Sequence, residues 1–508
     1  LISIHLLTLI LLVKVLKNYK KNISMDDISS FNLDKRKDII KLNSELVDYI
    51  DYFVNQEDYK HISKKYSSFF GLNISSVINE NKVILFRNFN NYLGKFENLS
   101  GKIIYLKSFI KNIFFLIYIF LFRKSSAEKR KNFDLVVDLT ENTRYRYFRE
   151  ISNNINTVFI LSKKDKKFNF IKFKKYFRCS YPSKNTFLMY WNLICFTFFF
   201  SLRKNYNFNL TLFHILKLYF RNHTIFSKIN AKFLIQERYN LTSPIKNEIF
   251  KSYGGQLSTC IQRNIFQRNG PGMFIYSDVL FSMGNKTAEV LKYMGGEVKE
   301  IIPVGSFFME YNFFKRKENT IQKNKIQKYD LLFFETSHSW KFVSGYEGYY
   351  DDFYLHLNWI KKISLQNLNL KIAIKFKHEK DKFENKKILE IIGNLKNVEI
   401  LIDETDWIDS YFLGQKAKFI GTWSSSLCHE LLSIGKSCYY IDPGLRNKSF
   451  LPDTEEYKSI RLDSYEKFCE MVKNCLINKN KRIINTDNFC LKSNNVSINI
   501  ANFLKSRS

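Results

Sequence analysis

Unbroken apolar runs, each closed by a polar or small residue, recur along most of this chain with helix-spaced stretches between them. In order they are FDLVVDL (133–139), NTVFILS (156–162), AKFLIQE (231–237), QLSTCIQRN (256–264), MFIYSDVLFSMG (273–284) and EIIPVGS (300–306). A charged interval at 311–328 has no strand pattern. After it the alternation restarts with DLLFFET (330–336), KIAIKFKHE (371–379), VEILIDE (398–404), KFIG (418–421) and CYYI (438–441). Helices are expected over 351–366, 382–395 and from Asp406 to about Leu413. Runs that are apolar throughout suit strands covered on both faces, and strand–helix alternation implies parallel pairing. The pattern predicts an α/β protein with two doubly wound, Rossmann-like domains facing across a cleft.

Residues 25–100 are polar and helix-patterned, DIIKLNSELVDYIDYFV being the clearest run, and predict an accessory helical region. Three further apolar runs are LISIHLLTLILLV (1–13), IFFLIYIFLF (113–122) and FLMYWNLICFTFFFSL (187–202). The first lacks a basic leader and a small-residue cleavage site, and each is shorter than the ~20 residues that cross a bilayer as a helix. The other two are flanked by Lys111, Arg123 and Lys124, and by Lys184, Arg203 and Lys204. Aromatic, lysine-flanked runs of this kind fit insertion at a membrane surface or burial in a large domain. The expected division is a helical, membrane-associated region at 1–125, a first Rossmann-like domain at 126–310, a linker at 311–328, a second Rossmann-like domain at 329–485 and a basic tail at 486–508.

Composition changes the picture in two ways. Lysine and arginine number 80 against 48 acidic residues, a formal charge of +32, which calls for an anionic partner. The basic residues lie among apolar runs and form neither an arm nor a nucleic-acid module, so an anionic membrane surface is expected rather than nucleic acid. The eight cysteines show no paired metal spacing and read as reduced core residues of a cytoplasmic protein. No metal and no cofactor is expected.

The stretch KFIGTWSSSLCHELLSIGKSCYYID (418–442) reads as strand, hydroxyl-rich turn, helix, glycine stop and strand. In a parallel sheet this unit puts a helix N-terminus at the carboxyl end of a strand, where free N–H groups favour an anion. Thr422, Ser424, Ser425 and Ser426 are candidates to hold a diphosphate, and Glu430 to reach a ribose or sugar hydroxyl. A purely structural account has the serines capping the helix and Glu430 solvated. Lys377 and His378 end one strand of the same domain, and Thr336, Ser337 and His338 follow another; all five are candidates for the donor side. Asp403, Glu404 and Thr405 end a third strand and are candidates to surround a base. In the first domain Asp138, Glu141 and Glu237 sit at strand ends, and any of them suits a general base beside an acceptor hydroxyl.

The order of these features resembles the two-domain GT-B glycosyltransferases of bacterial surface-carbohydrate, capsule and lipopolysaccharide biosynthesis, and the CDP-glycerol glycerophosphotransferases. VGS (304–306), KFKHE (375–379), DETDWIDSYFLGQKAKFIG (403–421) and WSSSLCHELLSIGKSCYYID (423–442) carry the resemblance. The chain departs from the family pattern at Ser437 and Glu379, where proline is usual, and at QRN (262–264), where relatives have Gln-His-Gly. The resemblance implies a nucleotide-sugar donor, a glycan or lipid-linked acceptor, Glu430 on ribose hydroxyls, His378 in a catalytic role, and a place on the inner face of the cytoplasmic membrane. The alternatives are a CDP-polyol phosphotransferase, or a non-catalytic membrane-surface or nucleic-acid-binding protein of the same fold. Arg263 stands at a strand end either as an anion contact or as a surface residue.

Overall fold

The computed structural model describes residues 48, 50–91, 102–121, 130–139, 142–160, 184–264, 274–287, 289, 291, 295–315, 328–335, 349–376, 386–402, 408–423, 425–444, 454–477 and 485–507. The first sheet comprises β1 (Leu135–Asp138), β2 (Thr157–Ile160), β3 (Phe233–Gln236), β4 (Leu257–Ile261), β5 (Phe274–Ser282) and β6 (Gly295–Pro303). The second comprises β7 (Leu331–Phe334), β8 (Ile372–Phe376), β9 (Val398–Ile402), β10 (Phe419–Thr422), β11 (Cys438–Ile441) and β12 (Arg461–Leu462). Every neighbouring pair is parallel. The spatial orders are β2-β1-β3-β4-β5-β6 and β9-β8-β7-β10-β11-β12. Both are doubly wound, and both reverse direction beside their first strand: between β1 and β3, and between β7 and β10. Ligands of such sheets bind outside the carboxyl ends of the strands at this reversal.

The described helices are α1 (Glu57–Phe70), α2 (Ile74–Asn91), α3 (Lys102–Leu121), α4 (Arg149–Asn154), α5 (Lys184–Lys204), α6 (Phe208–Phe226), α7 (Pro244–Ser252), α8 (Tyr349–Gln366), α9 (Lys386–Ile392), α10 (Ile408–Lys416), α11 (Leu427–Ser433), α12 (Tyr465–Leu476) and α13 (Val496–Ser506). Local chemistry sets several ends. Ser243 Oγ accepts from Lys246 N ahead of Pro244 at the start of α7. Gly71 closes α1 at φ 64° and Gly435 follows α11 at φ 80°, conformations that cost a side-chain-bearing residue energy.

Each sheet is covered on both faces. Val136, Val158 and Leu234 of the first sheet share a core with Tyr59, Val77, Tyr105, Ile194 and Leu212, so α1, α2, α3, α5 and α6 are built into this domain. The expectation of a separate accessory region at 1–125 is corrected here: apolar stripes on those helices are the cover of the sheet. On the other face Leu135, Val137, Phe233 and Phe281 pack with Phe148, Ile151, Val496, Ile500 and Leu504. The tail expected at 486–508 is likewise corrected, because Val496, Ile500, Ala501 and Leu504 form a buried stripe that brings α13 back onto the first domain. In the second domain α8, α9 and α12 cover one face of the sheet. The chain crosses between domains through Phe307–Met309 and the π-turn Glu310–Lys315, and 316–327 of the expected linker lie outside the described residues.

Gly421 sits in a tight place in the second sheet. A Cβ there would stand 2.7 Å from Phe333 Cδ1 and 3.0 Å from Ile441 Cγ1. Gly421→Ala is expected to cost about 1–3 kcal/mol by overpacking, and Phe333→Leu in the same chain to restore part of it. Urea unfolding of the parent, single and double variants checks this; an unchanged midpoint for Gly421→Ala contradicts the packing described.

Candidate functional site

The carboxyl edge of the second sheet is built at β7 and β10, where Phe334 pairs with Thr422. Beyond β10 the chain turns through Ser425 and Ser426 into α11. Ser425 Oγ accepts from Leu427 N at 3.3 Å, and its carbonyl accepts from the Tyr440 hydroxyl at 3.2 Å. Ser426 occupies the cap position and its side chain makes no capping bond. Thr422 Oγ1 is buried and makes no hydrogen bond. Of the predicted hydroxyl turn, Ser425 caps α11 and the Ser426 side chain is uncommitted to the cap.

Glu430 departs from its expected role. It is 4% exposed, and its two oxygens accept from the Ser306 hydroxyl and, at 2.9 Å, from the Tyr411 hydroxyl. Helix α11 lies under the crossing segment with Cys428 to Ser433 all buried, so Glu430 meets the end of the first domain and not an open cleft. Burial raises its pKa to about 7, only partly offset by the two hydroxyl donors. Nearby, Ser433 Oγ lies 3.7 Å from Met309 Sδ. Glu310, in the crossing segment itself, accepts from Ser497 N and Oγ at 2.9 and 2.5 Å, and burial raises its pKa to about 7 as well.

A pair that sequence reasoning missed sits at the end of β7. The Glu335 and His356 side chains are fully buried with Oε1 and Nδ1 3.3 Å apart. None of their four polar atoms makes a hydrogen bond. Burial pushes the Glu335 carboxyl well up and the His356 imidazole down to about 3, so each is driven toward its uncharged form. The available signal was a carboxylate closing an otherwise apolar strand.

At the carboxyl edge of the first sheet two of the three predicted acids, Asp138 and Glu237, are ion-paired. Asp138 contacts Lys246 Nζ at 2.7 Å and Arg221 at 3.7 Å. Burial pushes its carboxyl up, but Lys246 and Arg221 together hold it below the ordinary carboxylate range. Glu237 Oε1 lies 2.7 Å from Arg144 Nη1, 3.7 Å from Arg263 Nη1 and 3.8 Å from Arg238 Nε. Arg263 is no surface residue: its guanidinium lies 4.6 Å from the Phe308 ring centroid. Gln262 is structural, accepting from Met283 N at 2.8 Å and Thr287 Oγ1 at 3.0 Å. A cavity of about 300 Å³ is lined by Arg146, Tyr147, Arg149, Glu150, Glu310 and Ser497 among others, next to the crossing segment. Glu141, Thr336, Ser337, His338, Lys377, His378, Asp403, Glu404, Thr405 and Ser424 lie outside the described residues.

No protein-family model and no curated protein sequence matches the chain. Among solved structures it is similar to a UDP-N-acetylglucosamine 2-epimerase from Rickettsia bellii, at 12% identity, 73% coverage of this chain, 96% of that one and a TM-score of 0.45. It is similar to the UDP-GlcNAc 2-epimerase of Methanocaldococcus jannaschii at 14% identity, 74% and 100% coverage and a TM-score of 0.44. The wall teichoic acid polymerase TagF matches at 10% identity, 80% and 97% coverage and a TM-score of 0.38.

A carboxyl whose folded pKa is raised from 4.5 to about 7 stabilises the fold in full below pH 4.5 and loses that stability as pH climbs to 7. For Glu430 the loss is on the order of 3 kcal/mol. Glu310 titrates in the same window and the raised Glu335 carboxyl adds to it, so Glu430→Gln is expected to remove part of the fall in stability between pH 4.5 and 7 and leave the rest. Urea midpoints across that range check it. A slope unchanged by the substitution contradicts the buried carboxyl.

Proposed function

We propose that this chain is a nucleotide-sugar-dependent glycosyltransferase that extends a glycan, carried on a lipid, during surface-polysaccharide or lipopolysaccharide synthesis. The observation that carries the reading is the strand order β9-β8-β7-β10-β11-β12, which puts the end of β10 and the turn at Ser425 and Ser426 at the reversal point of a doubly wound sheet. A nucleotide donor seated there lays its diphosphate against the main-chain N–H groups of the turn. Those dipoles are fixed before reaction and stabilise the charge that grows on the leaving diphosphate. The first domain supplies the acceptor side across the crossing segment. Glu430 belongs to the frame of the site on this reading, and Asp138, its carboxyl held low by Lys246 and Arg221, is the carboxylate assigned to the acceptor side. A CDP-polyol phosphotransferase uses the same seat with a different base and leaving group.

Ser426→Asp keeps a good cap but places a carboxylate where the diphosphate binds. The parent is expected to gain thermal stability with one of the UDP, GDP, CDP or CMP donors, and the variant to bind it at least about tenfold more weakly. Protection by CDP-polyols alone favours the phosphotransferase. No protection by any nucleotide refutes both.

The acceptor side also has a route to a membrane. Among the described residues, α3 is long and apolar enough to cross a bilayer over Ile103–Phe120. Phe114 on α3 is 67% exposed, and Met189 and Phe199 on α5 are 56% and 66% exposed, beside Lys107, Lys111, Arg203 and Lys204. We infer that these helices seat the enzyme on the inner, anionic face of the cytoplasmic membrane. Flotation with phosphatidylglycerol vesicles is expected for the parent and to fall several-fold for Phe114→Ser/Phe199→Ser; equal flotation of both, or none by the parent, contradicts it.

A further inference from the structure

We propose that the carboxyl edge of the first sheet holds a phosphate-binding site built from Arg263 with Arg144 and Arg238, and that it takes a phosphate carried by the acceptor; the identity of the carrier rests on the function proposed above. Three guanidiniums gather around one carboxylate, Glu237, which is itself buried. Arg144 reaches it at hydrogen-bond distance, 2.7 Å. Arg263 at 3.7 Å and Arg238 at 3.8 Å feel its charge without bonding to the same oxygen. Arg263 Nη1 is buried and makes no hydrogen bond. Burying an unbonded guanidinium N–H costs free energy, so a site of this kind is set up for an acceptor atom still to arrive.

The geometry selects the ligand. The Arg263 guanidinium stands 4.6 Å from the Phe308 ring centroid, a contact that restricts where its fork can point. A fixed fork pairs with two oxygens of one group, and a phosphate offers three. A monoanionic carboxylate would compete poorly with Glu237, which already occupies that charge, whereas a dianionic phosphate brings a second charge to the Arg263 fork. The cluster stands at the ends of β3 and β4, beside the reversal between β1 and β3, where doubly wound sheets take ligands. Phe308 lies in the segment crossing to the second domain, so a bound phosphate would be held at the junction of the two.

Titration of the full-length chain tests the site. Inorganic phosphate at constant ionic strength is expected to raise the thermal midpoint more than chloride does. Arg263→Gln should weaken phosphate about tenfold or more, the worth of a charge-assisted hydrogen bond. Phe308→Leu removes the stacking surface and leaves all charges; it should weaken phosphate about threefold. It also keeps the site testable if Arg263→Gln does not fold. Dodecyl phosphate in neutral micelles distinguishes the source: binding that Arg263→Gln weakens supports an acceptor-borne phosphate, and binding of inorganic phosphate alone overturns that half. Phosphate no better than chloride, or either variant titrating like the parent, overturns the site. Nucleotide protection through the second domain should persist in both variants, so its absence from the parent refutes the enzyme reading separately.

Discussion

The contact of Glu430 with Ser306 and Tyr411 holds the two halves of the molecule in one arrangement. Ser306 caps the short turn that leaves the first domain, Met309 N donating to its Oγ at 3.1 Å, while its hydroxyl donates across to α11. Gly305 just before it sits at φ 98° with Leu491 O close enough to exclude a Cβ. One residue past this turn of chain, Glu310 receives both Ser497 donors and ties the crossing segment to α13. Two buried carboxyls, each with a pKa near 7, thus fasten the same few residues from opposite sides. A buried carboxyl is costly unless every donor around it is well placed, so this junction tolerates few geometries.

The orientation it imposes determines what the two carboxyl edges can do. The first edge is basic, with Arg144, Arg238 and Arg263 about Glu237 and Lys246 and Arg221 about Asp138. The second has no such crowd among the described residues: its acid, Glu335, is fully buried, with its carboxyl pKa pushed up, and faces a buried His356 whose pKa is pushed down. On the proposed reading the second edge holds its diphosphate through main-chain dipoles and the first holds an acceptor through guanidinium forks. The two anions then meet different chemistry and do not compete for one site.

Much of the fold was legible because parallel strands bury both faces. Runs such as LVVD, FLIQ, IAIKF and CYYI stand out without any alternation, and each is a strand in the structure. What the sequence concealed is tertiary. The stripe Val496, Ile500, Ala501, Leu504 is ordinary helical amphipathicity, and nothing local says that it returns to the first sheet. The helices before residue 125 carry polar surfaces that hid their share in the core. Glu430 showed the right spacing for a ligand contact, but only the crossing segment lying over α11 reveals its bonds to Ser306 and Tyr411. The arginine cluster is assembled from positions 144, 238 and 263, too far apart in the chain for any spacing to signal.

The central claim is that ligands bind between the two reversal points. A crystal structure of the full chain grown with a nucleoside diphosphate tests it most directly. The account predicts the diphosphate against the main chain of Ser425 and Ser426, at the carboxyl edge of the second sheet, with Glu430 still bonded to Ser306 and Tyr411. A nucleotide seated away from that edge, or one that breaks the Glu430 contacts to reach its ribose, would contradict it.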